Sequence, residues 1–222
     1  MQNLNVLIVE DHPIIANAYR LALESISQAK KYEFKIDVAD SIDKAISIIN
    51  SIDSGDQTLI FLDIKLEKSS DKKYLSGEDL GIEIRQVLPN AKIIVATTYN
   101  DNYRVNNILK SINPDGFFIK NDILPNELLS GIIEVIENPP YYSKTVQKLI
   151  RKHITSEIFL DKIDRQILFE LSLGTKMKDL PNIIPMSMGG IERRKRQMKE
   201  SFEIYDKEDK YLLEIARLKG FI

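Results

Sequence analysis

The sequence contains no cysteine, no tryptophan and only two histidines, His12 and His153. Without cysteine the chain cannot form a disulfide, use a thiolate nucleophile or bind zinc through sulfur. Two histidines are too few for a histidine-rich metal site. The absence of cysteine also fits a reducing compartment, so a cytoplasmic location is expected.

Long apolar runs are missing as well. No segment approaches the length of a membrane span, and the first residues do not follow a signal-peptide pattern, so no membrane partner is expected. Hydrophobic residues nevertheless make up 43% of the 222 residues. This composition is sufficient for one large domain or two small ones with apolar cores.

The small net charge of −2 is unevenly distributed along the chain. Residues 1–137 carry 21 acidic and 14 basic side chains, whereas residues 138–222 carry 12 and 17. This asymmetry predicts an acidic module joined to a basic module that binds a polyanion. Asn138-Pro139-Pro140 interrupts the pattern, which predicts a domain at 1–137, a linker with a helix at 138–159 and a second domain at 160–222.

Apolar strand-like runs alternate with amphipathic stretches through the first domain. The run TLIFLD at 58–63 has four consecutive apolar residues between polar ones, which is typical of a strand buried on both faces of a parallel sheet. Five strands alternating with five helices predict an α/β fold with a doubly wound, five-stranded parallel sheet. The predicted strands are 5–10, 34–39, 58–63, 91–97 and 116–120, and the predicted helices are 14–26, 41–49, 80–88, 102–112 and 124–136.

Polar side chains stand at the ends of four predicted strands. Glu10 and Asp11 follow the first strand, Asp63 ends the third, Thr97 ends the fourth and Lys120 ends the fifth. These ends are expected to lie close together, at the edge where ligands bind in open α/β sheets. Three neighbouring carboxylates repel one another, and a divalent cation such as Mg²⁺ relieves that repulsion. A lysine and a hydroxyl at the same point could hold a phosphoryl group.

With these residues in this order, residues 5–137 resemble the receiver domain of two-component response regulators. The resemblance implies that Asp63 is the phosphoacceptor, charged by a sensor histidine kinase or a small phosphodonor. It also implies that Glu10, Asp11, Asp63 and the backbone carbonyl of Lys65 hold Mg²⁺.

The same resemblance implies a switch that responds to phosphorylation. Thr97 would hydrogen-bond the phosphoryl group, Lys120 would pair with it, and Phe117 falls at the family's aromatic switch position. The sequence departs from the family in two places. Glu67 stands where a proline is common, and the loop at 65–79 is several residues longer than usual.

A phosphatase is the alternative for this half of the chain. Haloacid-dehalogenase-like phosphatases also use an aspartate at a strand end with Mg²⁺, but they need a second aspartate two positions later as the general acid. Lys65 occupies that position. The phosphatase is therefore disfavoured, and the chain is not expected to be an enzyme.

The second half has a wholly helical periodicity, and its basic residues concentrate in one predicted helix. Helices are predicted at 141–154, 160–173, 176–184, 187–203 and 206–220. The fourth is capped by Ser187 and follows a shorter helix across a tight turn, as in a helix-turn-helix. Pro181 near the middle of the shorter helix is a poor helix residue.

Residues 160–222 resemble the four-helix LuxR/NarL-type DNA-binding domain. This resemblance implies double-stranded DNA as a partner and a homodimer when the receiver is phosphorylated. The implied DNA-binding residues are Ser187, Arg193, Arg194, Lys195, Arg196 and Lys199. Gly189 and Gly190 depart from the family pattern, and each costs about 1 kcal/mol of helix propensity relative to alanine. The alternative is a helical domain that binds a protein partner instead of DNA.

Overall fold

The computed structural model describes residues 2–28, 32–53, 55–99, 102–152, 160–205 and 207–222. The chain divides into two compact units, one of residues 1–100 and 111–148 and one of residues 101–110 and 149–222. The predicted α/β fold with a helical C-terminal part is confirmed. Among the described residues, no helix is long and apolar enough to cross a bilayer.

The first unit is built on a parallel sheet with the strand order β2-β1-β3-β4-β5-β6. The strands are β1 (Gln2–Val9), β2 (Tyr32–Ala39), β3 (Thr58–Asp63), β4 (Lys92–Thr97), β5 (Gly116–Ile119) and β6 (Tyr141–Tyr142). Every residue of the central strand β3 is buried. Val9 is in register with Leu62, and Asp63 with Ala96, so the carboxyl ends of β1, β3 and β4 reach the same edge.

Strand β6 is a feature that the sequence did not predict. Residues 141–154 were expected to form a helix, but Tyr141 and Tyr142 pair in parallel with β5. The helix begins only at Lys144. Proline disfavours helical backbone in the residue before it, so Asn138 and Pro139 favour an extended approach to the tyrosines, and tyrosine fits a pleated surface well. The outer edge of β5 therefore gains a short sixth strand.

Helices follow each of the first five strands. They are α1 (Pro13–Gln28), α2 (Ile42–Ile49), α3 (Gly77–Val87), α4 (Asn102–Ile112) and α5 (Pro125–Glu137). The apolar faces of α1 and α5 cover one side of the sheet, and both contribute to a core that includes Phe61 and Phe118. The ring of Tyr19 on α1 stacks on Phe61 of β3 with 4.9 Å between centroids.

The long loop between β3 and α3 is packed against the domain. Leu66, Ser69 and Tyr74 are buried, and the Ser69 N–H donates to the Tyr74 carbonyl at 2.9 Å. The backbone N–H and the hydroxyl of Ser70 both donate to the Asp43 carboxylate on α2, at 3.0 and 2.6 Å to Oδ2. The loop is therefore fixed at its middle as well as at its two ends.

The C-terminal part of the chain is helical, as predicted. Its helices are α6 (Lys144–Lys152), α7 (Lys162–Ser172), α8 (Met188–Ser201) and α9 (Asp209–Leu218). Asp161 caps α7, because its Oδ1 accepts from the Asp164 N–H at 2.9 Å while its own N–H donates to Asp164 Oδ2 at 3.1 Å. After α7, Gly174 adopts the positive φ of 85° that favours glycine.

Two helical predictions differ from the structure in this part. The segment expected to be a helix at 176–184 forms a 3-10 turn over Met177–Asn182, because Pro181 has no N–H to donate within an α-helix. The last helix begins at Asp209 rather than 206, with Glu208 in the N-cap position. Residue 206, where this helix was predicted to begin, lies outside the described residues, as does the predicted end of the linking helix at 153–154.

Candidate functional site

The ends of β1, β3 and β5 bring together two buried carboxylates and one lysine. Glu10 and Asp63 are 2% and 3% exposed. Lys120 Nζ lies 2.6 Å from Glu10 Oε2 and 2.7 Å from Asp63 Oδ2, so one ammonium group bridges both acids. Lys120 thus lies where the sequence analysis expected it, just after β5.

Asp11 and His12 extend this cluster toward solvent. His12 Nδ1 lies 2.6 Å from Asp11 Oδ1 and 3.2 Å from Glu10 Oε1. One ligand atom from each of Glu10, Asp11, His12 and Asp63 can be chosen so that all lie within 4.8 Å of one another. His12 is not among the predicted site residues, although its place directly after two acidic residues is a signal that could have identified it.

The electrostatics of the cluster favour an additional cation. Burial raises the pKa of Glu10 above its ordinary value, and repulsion from Asp63 adds to the effect, whereas Lys120 opposes it. The hydrogen bond to Asp11 raises the pKa of His12. Carboxylate oxygens are the ligands that Mg²⁺ prefers in proteins, so the donor set fits a hard divalent ion.

The backbone around Asp63 fixes the direction of its side chain. The Lys65 N–H donates to Asp63 Oδ1 at 3.0 Å, whereas Oδ2 accepts from Lys120. On the other side, a Cβ placed on Gly77 would lie 1.9 Å from the Asp63 carbonyl oxygen. Gly77 is not among the predicted site residues, because it falls within the segment 65–79 that the sequence predicts to be a loop.

Thr97 and Phe117, the predicted switch residues, are both fully buried. Thr97 ends β4, and its Oγ1 accepts a hydrogen bond from the Tyr99 N–H at 3.2 Å. Phe117 lies in β5, three residues before Lys120, and is in register with Val95 of β4. A change in the position of either side chain therefore requires movement of packed neighbours.

Helix α8 places part of its basic residues in contacts within the protein. Ser187 acts as its N-cap, with Oγ accepting from the Gly190 N–H at 3.3 Å. Arg194 Nη1 lies 2.7 Å from Asp161 Oδ2 and 2.9 Å from Asp164 Oδ1, which ties α8 to the first turn of α7. Arg194, one of the predicted DNA-binding residues, therefore also joins two helices.

Lys195 and Lys199 pair with the start of α9. Their Nζ atoms each lie 2.8 Å from a carboxylate oxygen of Asp209. Burial alone would raise the pKa of Asp209, but the hydrogen bonds from the two lysines outweigh it and lower that pKa. Arg193 and Arg196 are instead exposed, with Arg196 3.9 Å from Glu200 one turn later.

The two glycines of α8 do not interrupt the helix. A Cβ on Gly189 would meet nothing within 4 Å, whereas one on Gly190 would lie 2.7 Å from Met186 Cγ. Gly190 therefore allows the Met186 side chain to pack closely against α8. Gly189 leaves exposed backbone at the start of this basic helix.

Comparison with known proteins shows which family and which proteins the chain is similar to. The response regulator receiver domain matches residues 6–132. The transcriptional regulatory protein RcsB of Escherichia coli K12 is 24% identical over 152 residues, which cover 68% of this chain and 65% of RcsB. RcsB of Salmonella typhi matches at the same identity and coverage. The matched region thus spans 65% of the length of these curated relatives.

Solved structures share the fold of both parts of the chain. RcsB from Salmonella enterica serovar Typhimurium, bound to a promoter in the presence of the phosphomimetic BeF₃⁻, superposes with a TM-score of 0.67 at 19% identity. The superposition covers 96% of this chain and 98% of that one. A structure of two RcsB dimers bound to two parallel DNAs gives a TM-score of 0.61 at 20% identity, covering 97% and 98%.

Proposed function

The chain belongs to the response regulator receiver domain family, and on this premise we propose that it is a phosphorylation-dependent transcription factor of the cytoplasm rather than an enzyme. Residues 1–137 act as the receiver, 138–159 as the linker and 160–222 as the DNA-binding domain. A sensor histidine kinase or a small phosphodonor charges Asp63. The phosphorylated receiver dimerises, and the paired helical domains bind double-stranded DNA.

The observation that carries this proposal is the buried Asp63 carboxylate bridged to Glu10 by Lys120. A carboxylate oxygen of Asp63 attacks the phosphorus, and the bond from phosphorus to the donor's leaving group breaks. The Lys65 N–H holds Oδ1 in place while Lys120 neutralises charge at Oδ2. Mg²⁺, bound by Glu10, Asp11, Asp63 and the Lys65 carbonyl, would supply the remaining charge neutralisation.

The new phosphoryl group then reorganises its surroundings. It adds nearly two negative charges and strong acceptors beside Lys120, so this lysine pairs with it. Thr97 exchanges the Tyr99 N–H for a bond to a phosphoryl oxygen, and Phe117 takes the space that Thr97 vacates. Because both residues are packed in the core, the change is expected to be a switch between two arrangements.

Two observations support DNA as the target of the helical domain. The chain shares its fold with RcsB, which has been solved on promoter DNA. Arg193 and Arg196 project from α8 into solvent, while Arg194, Lys195 and Lys199 hold that helix to α7 and α9. The exposed arginines therefore carry the phosphate contacts, and the paired cations orient the helix.

Phosphoryl uptake tests the receiver assignment. Wild type, Asp63→Asn and the control Asp37→Asn, which changes an exposed carboxylate on β2, are incubated with acetyl phosphate and Mg²⁺, and their intact masses are measured. Wild type and the control should gain one phosphoryl group, whereas Asp63→Asn should gain none because an amide is a poor nucleophile. Equal mass gain in all three proteins would refute the assignment.

A protein-binding helical domain is the second candidate, and the pairing of Arg194, Lys195 and Lys199 within the protein favours it. The two functions differ in their response to salt. Retention on heparin or nonspecific DNA falls steeply with ionic strength when cations contact phosphates, whereas a protein-binding surface has no such requirement. Retention that is weak and independent of salt would favour the protein-binding domain.

A further inference from the structure

Strand β6 joins the outer edge of β5 to the start of helix α6. The Tyr141 N–H donates to the Asp115 carbonyl and the Ser143 N–H donates to the Phe117 carbonyl, both at 2.9 Å. Tyr142 lies between these two bonds, in register with Phe117. Ser143 is the residue immediately before α6. One backbone hydrogen bond therefore connects the predicted aromatic switch residue to the residue that leads into α6.

The junction between β6 and α6 is packed into the domain. The rings of Tyr141 and Phe118 have centroids 5.5 Å apart, and a Cβ on Gly131 of α5 would lie 2.8 Å from Tyr141 Cε1. Ser143 itself is only 7% exposed. Because these contacts leave little free space, β6 cannot absorb a displacement of the β5 backbone at Phe117. Such a displacement is therefore passed on to the start of α6.

The proposed switch supplies a displacement at this point of β5. Phe117 takes the space that Thr97 vacates, and both side chains are fully buried. A buried ring cannot change its position in a closely packed core unless the neighbouring atoms also move. The Phe117 carbonyl is the acceptor for the Ser143 N–H, so the movement reaches α6 through a single peptide unit. Helix α6 lies in the linker that precedes the predicted DNA-binding domain.

We propose that β6 transmits the switch to the linker, with Ser143 as the positioning residue that couples Phe117 to α6. This inference rests on the proposed function, because phosphorylation of Asp63 causes the movement. It goes further in giving the unpredicted strand a role and in naming the hydrogen bond through which the receiver acts on the linker. Without that bond, Asp63 is still phosphorylated but the affinity for DNA no longer responds.

Two substitutions of Ser143 separate its backbone bond from its side chain. Ser143→Pro removes the N–H that the Phe117 carbonyl accepts. Proline is tolerated at a sheet edge and at a helix start, and Tyr142 already has the extended conformation that a following proline requires. Ser143→Ala is the matched control, because it keeps the N–H and removes a hydroxyl that has no hydrogen-bond partner among the described residues.

Intact mass and DNA affinity of the full-length proteins are measured with and without acetyl phosphate and Mg²⁺. Wild type and Ser143→Ala should gain one phosphoryl group and show the same increase in DNA affinity. Ser143→Pro should gain the same mass but lose the increase in affinity. A full increase in Ser143→Pro would overturn the inference and leave the proposed function intact. No mass gain in wild type would refute the proposed function, and this inference with it.

Amide hydrogen exchange of the wild-type protein, followed by NMR, tests the coupling without a substitution. Phosphorylation should change the protection of the Ser143 N–H. The Asn5 N–H, which donates to the Gln57 carbonyl at 3.0 Å before the start of β3, is the internal control and should keep its protection. Unchanged protection of Ser143 in protein whose mass shows phosphorylation would overturn the inference, even if Ser143→Pro fails to fold or none of the proteins binds DNA.

Discussion

Gly77 packs so closely behind Asp63 that a Cβ on the glycine would lie 1.9 Å from the Asp63 carbonyl oxygen. The Gly77 N–H also donates to the carbonyl of Ile64 at 3.1 Å. The long loop after β3 therefore returns against the backbone of the proposed phosphoacceptor. The position of Asp63 depends on this return as well as on the strand that carries it.

Replacing Gly77 by alanine should disturb the site through the backbone. The methyl group has no space, so Asp63 or the start of α3 must shift, and we expect the unfolding free energy to fall by about 1–3 kcal/mol. Phosphoryl uptake from acetyl phosphate should slow as well. Urea unfolding and timed intact-mass measurements would report the two effects.

Gly189→Ala is the matched control for this variant. Its Cβ would meet nothing within 4 Å, and alanine in a helix is favoured over glycine by about 0.5–1 kcal/mol. It should therefore stabilise α8 and leave phosphoryl uptake unchanged. A Gly77→Ala protein with the stability and uptake rate of wild type would contradict the packing argument.

Glu10→Gln should change how stability depends on pH in the metal-free protein. Burial and the charge of Asp63 raise the folded-state pKa of Glu10 above its ordinary 4.5. The wild-type protein therefore loses stability as the pH rises from about 4.5 through that raised value. Glutamine does not ionise, so the stability of the variant relative to wild type should increase from pH 4 to pH 7.

Urea midpoints measured in a chelator across this pH range would test the prediction. Glu33→Gln, which alters an exposed glutamate on β2, serves as the control and should track wild type. Added Mg²⁺ should stabilise wild type more than Glu10→Gln because the variant lacks one metal ligand. A stability difference that does not vary with pH would count against a destabilised Glu10 carboxylate.

Arginine variants of α8 should separate DNA binding from helix packing. Arg193→Ala and Arg196→Ala should each weaken DNA binding and flatten its salt dependence by about one unit, because each removes one cation from a DNA phosphate. Arg194→Ala should instead lower the unfolding free energy by about 1–3 kcal/mol, because it leaves Asp161 and Asp164 without their shared cation. Salt titrations of DNA affinity and urea unfolding measure the two quantities. The opposite division, with only Arg194→Ala changing the salt slope, would refute this assignment of roles.

Local sequence patterns predicted much of the fold. The continuous apolar run of β3 and the capping residue Ser187 are short-range signals, and the structure contains the corresponding strand and helix start. The strand-terminal acids and Lys120 followed from the rule that parallel strands end at one edge. The order of the strands alone was sufficient to predict that these side chains lie close together.

The features that escaped prediction depend on distant parts of the chain. Strand β6 forms because Tyr141 meets the edge of β5, and the constraint on Gly77 comes from the backbone of Asp63. Arg194 is paired with acids about 30 residues earlier, so its sequence neighbourhood indicated only a basic helix. In each case tertiary packing outweighed the local signal.

The central claim is that phosphorylation of Asp63 controls DNA binding, and one measurement tests it most directly. Wild type and Asp63→Asn are titrated onto a pool of random-sequence duplexes by fluorescence anisotropy, with and without acetyl phosphate and Mg²⁺, over a series of salt concentrations. The proposed function predicts tighter, steeply salt-dependent binding by phosphorylated wild type and no response to acetyl phosphate in Asp63→Asn. DNA affinity that is the same for both proteins in all conditions, or no binding even at low salt, would contradict it.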